Sequence, residues 1–471
     1  MDLMPWHPTP TPPSCSPLEH SADDMVLSSE VSEADPARAT ARSSAEATST
    51  GRDTLTAMEV SSDDAVNQIR HYRYNLATWL DVCDTRQFFG TIVSVMALRS
   101  KHIRNALLVL SAASLAAPKG DILAERPNEP SESVIIADAH DPISTSLDHH
   151  VYTLLLAVAN FLRETPAAWT EMWQRVHLSL LADPLSAPEH GLHLSCLRLR
   201  LDITVALMQG TGMLLHHAEN VPSPATALGG DSSTSTVKDI TGGNMVYTVH
   251  KMLLLCARIL DFRAGVRRQV GVSRMQQWHQ LAESANHWYA KRPMAFQPLV
   301  DLDLPSSVFG TAEAASAEEA GEDAITRPKG APTHDELHPL FPSILFTNGT
   351  AVLSNQLYHT AMMLLLQSKP RTTIHEQSGV GGGGLNGGSR PSPAWSPLWH
   401  AQRVCGIALS NIRRECWDLS LVASLWVAAQ TMTYEPQQRA LLRGFDALAT
   451  RMGWQVDHFQ VTLRQVWGME S

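Results

Sequence analysis

Apolar residues in this chain recur three and four positions apart, and that spacing restricts its possible folds more than any other feature. Leu147, Val151, Leu154, Leu155, Val158, Phe161 and Leu162 form one such stripe. Val249, Met252, Leu253, Cys256, Ile259 and Leu260 form a second, and Leu441, Leu442, Phe445, Leu448, Ala449 and Met452 a third. At 3.6 residues per turn each set falls on one helix face, which gains stability only by packing against another element. Similar spacing predicts further helices over 91–116, 193–217, 274–290, 350–367, 400–414, 419–432 and 457–467. No run alternates apolar and polar β-formers between turn signals. The expected fold class is therefore all-α, a large irregular bundle of antiparallel helices.

Four stretches carry no packable face. Residues 1–66 are rich in Ser, Thr, Pro and acidic groups with few apolar anchors, so burial cannot offset the entropy of ordering them, and a disordered tail is expected. Its Trp6, Met25, Val26 and Leu27 fit either an acidic activation segment or a solvated leader. Within the helical domain expected over 67–471, loop insertions are expected at about 219–244, 305–336 and 372–398; the last includes a glycine run flanked by Pro and Ser.

The net charge of -11 argues against a general phosphate-binding surface. Residues 1–60 hold ten Asp or Glu against three Arg, leaving the rest nearly balanced. Cysteines stand at 15, 83, 196, 256, 405 and 416, too far apart for the paired C-x-x-C spacing of a structural zinc site. They read as reduced thiols, most of them buried as small hydrophobes. No secretory leader is read at the amino terminus, and Val151–Leu162 is far shorter than the ~20 apolar residues a membrane helix needs. An intracellular, soluble protein is expected.

Motifs with chemistry are sparse. Gly379-Val-Gly-Gly-Gly-Gly384 matches a dinucleotide fingerprint, but without a strand before it or a helix after it, a linker is the better reading. The neighbours His149-His150 and His216-His217 point about 100 degrees apart on a helix and cannot share a metal as an i, i+4 pair does. His400 and Cys405 are also off register, and His375-Glu376 does not continue into a metalloprotease motif. Ser235-Thr-Val-Lys238 matches S-x-x-K only within a Gly- and Ser-rich stretch. Arg198, Arg200, Arg263 and Arg267-Arg268 read as helix-surface charges, Arg413-Arg414 is the other adjacent arginine pair, and no basic import run is present. No catalytic, cofactor-binding, metal-binding or DNA-contacting residue is identified, and nothing points to an enzyme.

Five segments resemble the carboxyl-terminal regulatory domain of fungal binuclear zinc-cluster transcription factors. They are His71-Tyr-Arg-Tyr-Asn-Leu-Ala-Thr-Trp-Leu-Asp-Val-Cys to Phe89 with Ala106–Ala116; Leu197-Arg-Leu-Arg-Leu-Asp-Ile to Leu207; and Trp288-Tyr-Ala-Lys-Arg-Pro to Pro298. The fourth joins Phe341-Pro-Ser-Ile-Leu-Phe to Asn355-Gln-Leu-Tyr-His-Thr-Ala, and the fifth runs Cys416-Trp-Asp-Leu-Ser-Leu to Ala429, then Gly453-Trp454 and Trp467-Gly468. These are packing signatures, none of them catalytic. Trp79, Phe88, Trp288, Trp417, Trp426 and Trp454 sit beside apolar stripes and are expected in the core.

The resemblance implies a nuclear regulator of a pathway-specific gene set, such as a secondary-metabolite cluster, that works through protein contacts and sometimes dimerises. Family members read DNA with six closely spaced cysteines, whereas Cys15 is alone in the first 80 residues here. Either the regulator lacks that module and uses a DNA-binding partner, or an upstream exon encodes it. A helical scaffold with no role at DNA is the alternative expectation.

Overall fold

In the computed structural model, the described residues are 63–84, 86–116, 145–182, 188–214, 237–266, 271–303, 340–370 and 393–469. They open with α1 (Asp63–His71), a π-helical turn (Tyr72–Leu76), α2 (Ala77–Leu80) and a 3-10 turn (Asp81–Cys83). A second π-turn (Phe88–Ile92) leads into α3 (Val93–Arg99), followed by α4 (Lys101–Leu115), α5 (Ser146–Arg163), α6 (Pro166–Ala182), α7 (Pro188–Gln209), α8 (Val237–Ala264) and α9 (Arg274–Lys291). Then come β1 (Val300–Leu302), β2 (Ser343–Leu345), α10 (Gly349–Gln367), α11 (Pro397–Ser410), α12 (Leu419–Ala429), α13 (Glu435–Met452) and α14 (Asp457–Val466). The fold is all-α, as expected.

Local chemistry sets the helix ends. Ser100 accepts the Ile103 N–H, Thr145 that of Asp148, and Asn348 that of Ala351, each satisfying a donor the helix leaves unpaired. Ser273 and Gln276 form a reciprocal capping box at α9. Gly453 closes α13 at φ 69°, a conformation open to glycine at little cost. The extended backbone at Ser100 divides the predicted 91–116 helix in two. Helix α6 lies outside the predicted set, although Trp169, Met172, Trp173 and Leu180 supply its buried face.

α10 occupies the centre. Every side chain from Thr350 to Leu365 is buried, with α8, α9, α11 and α12 packed around it. A helix buried on all sides needs its polar groups satisfied internally. Ser354 and Thr360 bond back to carbonyls one turn earlier, while Asn355 and Gln356 reach neighbouring segments. α7 packs between α8 and α12, and α4 packs on α5.

Several expected boundaries move. The tail expected over 1–66 ends no later than Asp63, where α1 begins; its remainder lies outside the described residues. α8 starts at Val237, so 237–244 is helix rather than insertion. Pro393–Trp395 forms a 3-10 turn and α11 starts at Pro397, which shortens the 372–398 insertion at its carboxyl end. The 305–336 insertion, like Gly379–Gly384, His216-His217, His375 and Arg267-Arg268, lies outside the described residues.

The β1–β2 ribbon is also absent from the sequence reading. Its antiparallel register pairs Val300 with Leu345 and Leu302 with Ser343. Three residues per strand are too few to produce an alternating signal. Tertiary contacts define the ribbon instead: Asn411 donates to the Ile344 carbonyl and accepts from the Phe346 N–H.

Candidate functional site

Three of the five segments meet around one buried guanidinium. Arg200, on α7, is 1% exposed. It donates to the carbonyls of Trp79 (3.2 Å) and Leu80 (2.7 Å) and to Asp418 Oδ2 (3.0 Å). The sequence reading places Arg200 on a helix surface, and the structure corrects this. Arg198, read the same way, is half-buried with the buried Asp202 nearby; one helix in isolation does not reveal that Arg200 finds carbonyls and a carboxylate inside the core. Burial pulls the Arg200 pKa down, but Asp418, Cys83, Cys196 and Asp81 together outweigh that effect and keep the guanidinium charged. Asp418 in turn caps α12 by accepting from Ser420 N at 2.9 Å.

Neighbouring contacts extend the hub. Thr350 donates to the Val82 carbonyl at 2.7 Å, and Gln356 to that of Leu421 at 2.9 Å. Asn355 reaches the Phe296 carbonyl at 2.7 Å, joining the third segment to the fourth. Trp79 meets Trp454 edge to face with 5.5 Å between centroids.

Two carboxylates organise the turn before α3. Asp81 accepts the N–H groups of Phe89 and Gly90, both at 2.8 Å, and Asp84 those of Arg86 and Phe88. Burial pushes Asp81 up to about 7 against the opposing pull of its two backbone donors. Burial also raises Asp84, yet His193, 3.1 Å away, and the backbone donors hold it below the usual carboxylate range.

A second polar cluster joins α10 to α11. His359 Nδ1 lies 2.8 Å from His400 Nδ1, His400 Nε2 lies 3.0 Å from the Ala394 carbonyl, and Arg403 Nε lies 3.4 Å from His359 Nε2. The carbonyl can only accept, so His400 donates from Nε2 and accepts at Nδ1. His359 then donates from Nδ1 and accepts the Arg403 N–H. An added proton has no place in this chain of bonds. Burial, then His400 and two arginines, push His359 well down; burial, with a contribution from Arg403, lowers His400 to about 4. The fork of Arg403 continues to Asp301 of β1 (2.5 Å) and to Asp303 (2.9 Å). His359, Arg403, Asp301 and Asp303 carry no motif, because 102 residues separate the ends of the cluster.

These two regions carry opposite pH signs. An unfolded His400 titrates near 6.5 and the folded one near 4, so the unfolded chain binds more protons between those values. Stability should fall as pH drops from 6.5 to 4, by about 3 kcal/mol from this residue. Asp81 binds its proton more tightly when folded, so its contribution is full below pH 3.8 and is lost as pH rises through about 7. Urea midpoints across pH 4.5–7 should therefore drop less on the acid side in His400→Gln, and an unchanged slope would refute the assignment.

The remaining sequence candidates lie apart. His149 faces Ser179, while His150 contacts the Ser146 carbonyl. Cys405 is buried, and the cysteines at 83, 196, 256 and 416 are buried free thiols. Arg263 is exposed on α8, Arg413 pairs with Glu415, and Arg414 reaches Asn75 and the Arg451 carbonyl. Ser235 lies outside the described residues, whereas Lys238 falls on α8. Among the described residues, no three His, Cys, Asp or Glu side chains converge to hold a metal, and no helix is long and apolar enough to cross a membrane. A cavity beside Trp169, Trp454 and Phe459 holds about 20 Å³, space for one water.

Fold and hub together define an all-helical protein whose described polar centres tie helices to one another. The chain matches no family model, no curated protein and no solved structure.

Proposed function

We propose that the chain is a transcriptional regulator of a pathway-specific gene set, such as a secondary-metabolite cluster. It acts in the nucleus through its helical domain and a DNA-binding partner. The observation supporting this reading is the convergence of the five segments that resemble the fungal regulatory domain, three of them joined by Arg200 alone. Residues scattered along the sequence thus share one interior, which is compatible with the packing role the resemblance implies for them.

Chromatin immunoprecipitation of a tagged copy at its native locus tests the proposal. Discrete promoter peaks under inducing conditions are expected. Their absence from a well-expressed, induced protein would favour a helical scaffold with no role at DNA. Purified protein should bind duplex DNA weakly and without sequence preference, because its charge balance is acidic. A nanomolar, sequence-specific complex in a gel-shift titration would overturn that expectation.

A further inference from the structure

Residues 86–116 stand out in a chain of net charge -11: they contain Arg86, Arg99, Lys101 and Arg104 and no Asp or Glu. An apolar ridge lies in the same stretch. Ile92, Val95 and Leu98 are 42%, 51% and 40% exposed, and they recur every third residue along α3 and the turn before it. Isolated exposed apolar residues need no explanation, but three on one helical face form a continuous strip. At 1.5 Å per residue the strip rises about 9 Å, enough for two turns of a facing helix.

Cations gather at one end of the strip. Arg104 donates to the carbonyls of Ala97 and Leu98, which fixes its guanidinium at the carboxyl end of α3, and Arg99 and Lys101 are exposed at the same elbow. At the other end, Thr91 Oγ1 contacts the carbonyls of Arg86 and Gln87, and Arg86 already has a partner of its own. Packing brings acids nearby as well: Asp148 of α5 lies a turn from Tyr152, whose ring meets His102, α1 with Asp63 and Asp64 packs on α4, and Asp81 and Asp84 are buried at the turn before α3.

We infer that the face formed by Ile92, Val95 and Leu98 docks an acidic amphipathic helix of a partner protein. Leucine-like side chains at i, i+3 and i+4 cover the ridge, and flanking carboxylates meet Arg99 and Lys101 at the elbow. A phosphate backbone would satisfy the cations but leave the apolar strip uncovered, so the chemistry favours a protein. This inference supplies the partner class for the proposed function and rests on that reading only for the partner's cellular role.

The test uses the purified full chain and a labelled synthetic helix of about 15 residues, with leucines on one face and glutamates elsewhere. Fluorescence anisotropy should show saturable binding that weakens with salt. A scrambled peptide of equal composition should bind at least ~10-fold more weakly. Val95→Asp and, separately, Arg99→Glu with Lys101→Glu should each weaken binding by ~10-fold or more. All three positions are exposed, and unchanged circular dichroism and melting will show that both variants fold. Absence of saturable binding, or equal binding of the scrambled peptide, overturns the inference. So does duplex DNA binding that responds to charge reversal but not to Val95→Asp. Carbene footprinting of the free chain should label Ile92, Val95 and Leu98; protection there, or a dimer in sedimentation that Val95→Asp dissolves, assigns the face to this chain itself and also overturns it. Promoter occupancy is not measured in any of these experiments, so their failure is separable from failure of the proposed function.

Discussion

Arg200→Met should destabilise the fold by about 3–5 kcal/mol in urea denaturation, because it strands the buried Asp418 carboxylate and frees two buried carbonyls. Domains of this kind are stable by only about 5–15 kcal/mol, so the loss is a large share of the total. Methionine nearly fills the volume, which makes charge and hydrogen bonding the missing quantities. Arg200→Lys keeps the charge but cannot reach three acceptors in a planar fork, and should cost less than methionine yet remain clearly measurable. Adding Asp418→Asn to Arg200→Met should recover part of the loss, since asparagine still caps α12 and no charge is left unpaired. A cost below about 1 kcal/mol for Arg200→Met would mean the hub does not hold these helices together.

The second large effect is expected at two glycines. A Cβ on Gly349 would collide with the Glu415 carbonyl and the Val82 side chain, and one on Gly406 with the Pro342 carbonyl. In a solvated helix, Gly→Ala stabilises by up to about 1 kcal/mol. Here the opposing atoms are backbone and cannot rotate away, so Gly349→Ala and Gly406→Ala should each cost about 2 kcal/mol or more. Gly444→Ala provides the comparison, because its Cβ meets only the end of the Leu409 side chain, which can change rotamer. Thermal melts should rank Gly444→Ala well above both of the others. Equal losses at all three positions would refute the close-approach explanation.

Helix placement was legible where one apolar face repeats over several turns. The reading of 147–162 agrees with α5 within a residue or two, and that of 274–290 with α9. It was poorest where a single residue changes direction. Ser100 divides one predicted helix into two, because an N-cap is a side-chain acceptor at one position and leaves no periodic trace. The ribbon of β1 and β2 was illegible, since its strands are 41 residues apart and contain three residues each. The hub was partly legible. Its aromatic members, Trp79 and Trp454, read as core, whereas Arg200 read as surface.

From sequence alone come the helical class, the segments without a packable face, and the concentration of cations between Arg86 and Arg104. These follow from spacing and composition, which act within a few turns of chain. Only tertiary structure decides that Arg200 lies inside, that His359 and His400 share a hydrogen bond, and that Gly349 and Gly406 must lack a side chain. Each depends on an atom 41 to 267 residues distant. Burial turns such meetings into strong constraints, because a polar group or a methyl in a close-packed interior has no water or empty space to turn to.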